Sequence, residues 1–101
     1  MKTKATRPLD PPEWTDADFA RAIPHAQYRR LRDGKLEPGD VAALRRYLAL
    51  SQTQLAKALG ISVRTLQNWE QDRALPTGSG LALIRIATRY PHVIRSYSSA
   101  A

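Results

Sequence analysis

From residue 40 onward the apolar positions fall at helical intervals. Val41, Leu44 and Leu48 recur every three or four residues behind Asp40, which follows Pro38-Gly39 and is a residue type suited to a helix N-cap. Ser51 opens a second run in which Leu55, Ala56 and Leu59 share a face. Gly60 ends that run, since glycine takes the left-handed conformation that helix ends favour. Ser62 opens a third, carrying Val63, Leu66 and Trp69. Pro76, Gly78 and Gly80 mark a loop, after which Leu81, Leu83, Ile84, Ile86 and Ala87 form a fourth helix ending at Tyr90-Pro91. His92 to Arg95 add a last turn. No stretch alternates as a strand does. The pattern predicts an all-α fold: a compact four- to five-helix domain over residues 40–95, followed by a disordered tail over 96–101.

The first 39 residues read differently. Large apolar side chains are sparse there (Leu9, Trp14, Phe19, Ile23, Tyr28, Leu31 and Leu36), and Pro8, Pro11, Pro12 and Pro24 interrupt them. So few anchors cannot offset the ordering entropy of the segment by themselves. Residues 1–39 are therefore expected to be an N-terminal arm, partly helical or disordered, that folds against something else. Its one clear start signal is Thr15, with Asp18 three residues on and Trp14 in front, a pattern for the beginning of a helix.

Charge narrows the function. The 101 residues hold 16 Lys and Arg against 9 Asp and Glu, a net of +7, with an isoelectric point near 10.4. A polyanionic partner follows, and a nucleic acid first. The charge is also blocked: Asp10, Glu13, Asp16 and Asp18 lie together with no base among them, flanked by basic segments on both sides. There is no cysteine, and His25 and His92 stand far apart. That argues against a disulfide scaffold, a metal centre or a His-based catalytic set, so neither an enzyme nor a cofactor is expected. No apolar run is long enough to span a membrane, and none follows the basic start as a secretory leader would require. The expected setting is the cytoplasm.

One segment carries the chemistry. From Gln52 to Glu70 two short helices are joined by Gly60-Ile61-Ser62, too tight a link for them to lie antiparallel. That is helix-turn-helix geometry, with the second helix free to enter a major groove. If Leu66 and Trp69 face inward, then Val63, Arg64, Thr65, Gln67 and Asn68 face outward or to the groove edge. Arginine pairs with guanine, Asn and Gln with adenine, and Val or a Thr methyl packs on thymine. Ser62 caps this helix and leaves its amide end open to a phosphate, and Arg73 lies just beyond its end, where it could grip another.

The segment resembles the Xre/Cro-type helix-turn-helix family over roughly residues 40–94. The resemblance implies that Gln52 touches the DNA backbone or a base edge, and that Val63, Arg64, Thr65, Gln67 and Asn68 read bases. It also implies an ion pair between Arg45 and Glu70 that orients the recognition helix. Ala49 departs from the family, where a glycine often ends the helix before the motif. The run Leu55 to Arg73, followed by Pro76-Thr77-Gly78 and a Leu/Ile-rich helix ending at Tyr90-Pro91, is similar to the HigA-like antitoxins of bacterial toxin–antitoxin systems. That resemblance implies a repressor of its own operon bound to a double-stranded DNA operator near the nucleoid. It also implies a partner, a small basic RelE- or HigB-like toxin that cuts messenger RNA. Trp14, Phe19, Ile23, Tyr28 and Leu31 of the arm are the expected toxin contacts. Leu83, Ile86, Tyr90 and Ile94 form a second apolar face, expected to join two copies into a homodimer.

Overall fold

A computed structural model describes residues 15–98, which form seven helices and no strand. They are α1 (Asp16–Ala22), α2 (His25–Asp33), α3 (Asp40–Leu48), α4 (Gln52–Leu59), α5 (Val63–Glu70), α6 (Gly78–Arg89) and α7 (Pro91–Ser98). Three starts are set by side chains that satisfy otherwise unpaired amides. Thr15 and Asp18 form a reciprocal capping box at α1, and Ser51 and Gln54 do the same at α4. The Ser62 hydroxyl accepts from the Thr65 amide at 3.0 Å to open α5.

Asp40 does not cap α3. Gly39 holds the cap position in a left-handed conformation, and Asp40 is the first helical residue. Its carboxylate turns back toward α2, where Arg30 donates twice at 2.9 Å and Gln27 once at 3.0 Å. The Glu37 amide donates to it as well, at 2.9 Å. Burial alone would raise the Asp40 pKa; the Arg30 hydrogen bond, the Glu37 amide and Gln27 outweigh it, so the carboxyl sits below the usual carboxylate range. The residue that was expected to cap a helix is instead its first member, and its side chain clamps two helices together.

Residues 15–39 of the expected arm fold against the rest of the chain. Phe19, Ile23 and Leu31 are 2%, 2% and 0% exposed and join Leu44, Leu48, Leu55, Leu66 and Ile84 in one continuous core. α2 packs on α6 and α3, and α1 on α2, α6 and α7. Arg85 Nε donates to the Arg32 carbonyl at 3.0 Å, and Asp16 accepts from the His92 amide at 3.3 Å where α7 begins. Each apolar anchor contributes about 1.5–3 kcal/mol by leaving water. A boundary at residue 39 therefore cuts through the core. Phe19, Ile23 and Leu31, expected as toxin contacts, are packed inside this chain, Tyr28 is half-buried, and Trp14 lies outside the described residues.

Two further differences follow from packing. Gly78 and Gly80 lie in the first turn of α6 rather than in a loop, and a Cβ on Gly80 would come within 2.9 Å of the Trp69 ring. Glycine there admits the indole instead of breaking the helix. At the other end α7 runs on through Ser98, so residues 96–98 are helical and not tail, while 99–101 lie outside the described residues. Ile94 is a core residue at 3% exposure. Leu83 is half-buried against the same core, which leaves Ile86 and Tyr90, 45% and 50% exposed, as the open members of the expected dimer face.

Candidate nucleic-acid interface

α4 and α5 are held at a fixed angle by the turn between them. Gly60 is left-handed, its amide donates to the Lys57 carbonyl at 3.2 Å, and the Ile61 amide donates to Ala56 at 3.0 Å. Leu55, Ala56 and Leu59 of α4 and Leu66 and Trp69 of α5 are buried, which leaves the opposite face of α5 to polar side chains. Just before the motif, Ala49 adopts φ 58° and ψ 39°, and its amide donates to the Arg45 and Arg46 carbonyls. The left-handed turn that glycine would supply is thus kept by alanine, which costs about 1–2 kcal/mol.

A chain of polar contacts ties α3, α4 and α5 together. Arg45 Nε donates to Glu70 Oε2 at 2.6 Å and its Nη2 to Oε1 at 3.1 Å, the ion pair expected from the family resemblance. Arg45 Nη1 also donates to the Leu50 carbonyl at 3.2 Å. Gln52 Nε2 donates to Glu70 Oε1 at 3.1 Å, and Gln67 Nε2 donates to Gln52 Oε1 at 3.3 Å. The Glu70 side chain is nearly buried, so the charge of the pair is shielded while the amides lead outward from it.

The predicted reading residues fall as follows. Arg64 is exposed on the second position of α5, and Val63 is half-buried against the core. Ser62 is exposed and its hydroxyl donates to Thr65 Oγ1 at 3.0 Å. Thr65, Gln67 and Asn68 are half-buried along the same helix. Arg73 is exposed in the turn after α5, where its amide donates to the Asn68 carbonyl at 2.9 Å and the neighbouring Asp72 takes φ 59°. The first residue of α4, Gln52, is brought beside Gln67 of α5; Arg64 and Arg73 stand at opposite ends of the recognition helix. The sequence did not reveal that Gln52 bridges Glu70 and Gln67. The signal that could have found it is an acid and two amides at the start of one motif helix and the end of the next, with a carboxylate able only to accept.

Among the described residues no group of three or more His, Cys, Asp or Glu could hold a metal ion. No described helix is long and apolar enough to cross a membrane.

An all-α fold with two short helices at a fixed turn, the second presenting polar side chains, defines a helix-turn-helix protein. The helix-turn-helix family model matches residues 41–91, half of the chain, and the chain belongs to that family. Over 59 residues it is 32% identical to the antitoxin HigA-2 of Vibrio cholerae serotype O1 (strain ATCC 39315 / El Tor Inaba N16961), a match covering 58% of this chain and 57% of that protein. The chain thus matches little more than half the length of this curated relative. No solved structure matches the chain significantly.

Proposed function

We propose that this chain is a sequence-specific DNA-binding repressor that also serves as the antitoxin of a toxin–antitoxin pair. The observation that carries the DNA-binding half is the outward face of α5. Arg64 is free to reach a base edge, Gln67 and Asn68 lie beside it, and the capped N-terminus of the helix is open to a phosphate. The net charge of +7 supports the same partner through the phosphate backbone. Two copies are joined through the exposed Ile86 and Tyr90; Val93 and Tyr97 on α7 are exposed as well. Such a dimer would present two recognition helices to half-sites about one helical turn apart.

The antitoxin half rests on the similarity to HigA-2. The toxin contact is assigned to residues 1–14, with Trp14, and to the open side of Tyr28, because the other anchors are taken up by the core. Asp10, Glu13, Asp16 and Asp18 suit a basic ribonuclease. The setting for both activities is the cytoplasm, at the nucleoid.

Binding of the chain to a randomised pool of duplexes tests the first half. Enrichment of a twofold motif is expected, and Arg64→Ala should cost about 1–3 kcal/mol, concentrated at one base position. Binding that ignores sequence even at low salt would remove the repressor reading. Co-purification with the product of a small basic neighbouring gene, and rescue of cells arrested by it, test the second half; failure of both leaves a repressor without a toxin.

A further inference from the structure

The contacts around Glu70 fix the direction of two amides. A carboxylate held against a guanidinium can only accept hydrogen bonds. Gln52 must therefore turn its NH2 group toward Glu70, at 3.1 Å, which points its oxygen away, toward α5. That oxygen can again only accept, so Gln67 turns its own NH2 group to it, at 3.3 Å. The polarity set by the Arg45–Glu70 pair is thereby passed through one amide to the next. Gln67 keeps its Oε1 and a single N–H for an outside partner. Gln52 keeps one N–H.

An amide with one acceptor and one donor in a fixed order matches the adenine edge, which offers the N6 amino group as donor and N7 as acceptor. Guanine offers two acceptors, N7 and O6, and would leave Gln67 Oε1 facing another oxygen. A freely rotating glutamine could turn its NH2 group to guanine; a tethered one loses the bond to Gln52 by doing so. We infer that Gln67 is the adenine-reading residue of this protein and that Gln52 and Glu70 are positioning residues that hold its amide in the adenine-selective orientation. This rests on the DNA-binding reading above. Base preference at one operator position is then set by a partly buried ion pair two residues removed from the base, through groups oriented before DNA arrives.

The test is selection from a randomised duplex pool, followed by affinities for the enriched duplex and its single-base variants. The wild-type chain should enrich a motif in which one position prefers adenine over guanine by about fivefold or more. Gln67→Ala should erase that preference and leave the other positions as they were. Gln52→Met removes both amide contacts and should bring the ratio at the same position below about twofold, with the remaining motif intact. Gln52→Asn keeps an amide with too short a reach for both partners and should relax the same position. A Gln52 variant that weakens binding evenly, with the adenine ratio unchanged, overturns the positioning role. A Gln67→Ala variant that changes no position overturns the assignment of the reader. If the wild-type chain enriches no motif, it is the DNA-binding reading itself that fails, an outcome distinct from either.

Discussion

Two arginine–carboxylate clamps brace this protein, and they end in different places. Arg30 and Asp40 join α2 to α3, with Gln27 as a helper amide and the Glu37 backbone amide closing the set. Arg45 and Glu70 join α3 to α5, with Gln52 as the helper, but there the hydrogen bonds continue outward to Gln67 on the recognition helix. The first cluster is self-contained and its carboxylate is almost wholly buried. The second hands its polarity to side chains that can meet a ligand. The same chemistry thus secures the fold in one region and sets up a reading surface in the other.

The comparison can be broken by removing what holds the first region. Leu31→Ala empties a fully buried position between α2 and the core and should cost about 2–5 kcal/mol in denaturant unfolding. The folded fraction should keep the base preferences of the parent; altered preferences would mean that α2 belongs to the reading apparatus. Asp40→Asn should cost less, about 2 kcal/mol near neutral pH, since it weakens charge-assisted bonds without emptying space.

Its pH dependence sharpens the contrast. The folded Asp40 pKa lies below its ordinary value, so its contribution is present above about pH 4 and is lost as pH falls through the lower folded value. The stability gap between the parent and Asp40→Asn should therefore close in acid. Asp18, lowered by the Thr15 amide and hydroxyl, and Asp33, lowered by Arg32, are common to both proteins and cancel in the difference. A gap that stays constant down to pH 2 would contradict the clamp. The smallest effect is a gain: Ala49→Gly relieves a left-handed alanine and should raise stability by about 0.5–1 kcal/mol after the greater freedom of glycine in the unfolded chain is counted. Its unfolding midpoint is the measurement, and no gain would mean that the turn is not strained.

Local signals were legible in the sequence, and long-range ones were not. Thr15, Ser51 and Ser62 mark helix starts because a cap acts on amides within three residues. Asp40 looks the same in one dimension, yet its carboxylate is claimed by Arg30, ten residues earlier, which no local pattern announces. Counting apolar residues segment by segment made residues 1–39 look unable to fold alone, an arm in need of something to fold against. The count missed that Phe19, Ile23 and Leu31 need only complete a core whose other walls come from α3, α6 and α7. Gly80 read as a breaker because the ring that fills its missing side chain belongs to Trp69, on another helix. At the candidate site, the order of residues on α5 was visible from spacing, whereas the coupling of Gln52 to Gln67 depends on how α4 meets α5.

The contact between Asp16 and the first turn of α7 has a practical meaning for anyone trimming the polypeptide. The opening helix is buckled to the closing one, so a fragment cut to the family-matched stretch would shed that fastening and uncover the pocket that Leu31 fills. A fragment that keeps the recognition helix upright should therefore include α1 and α2, and versions without them should behave as sticky, half-melted chains.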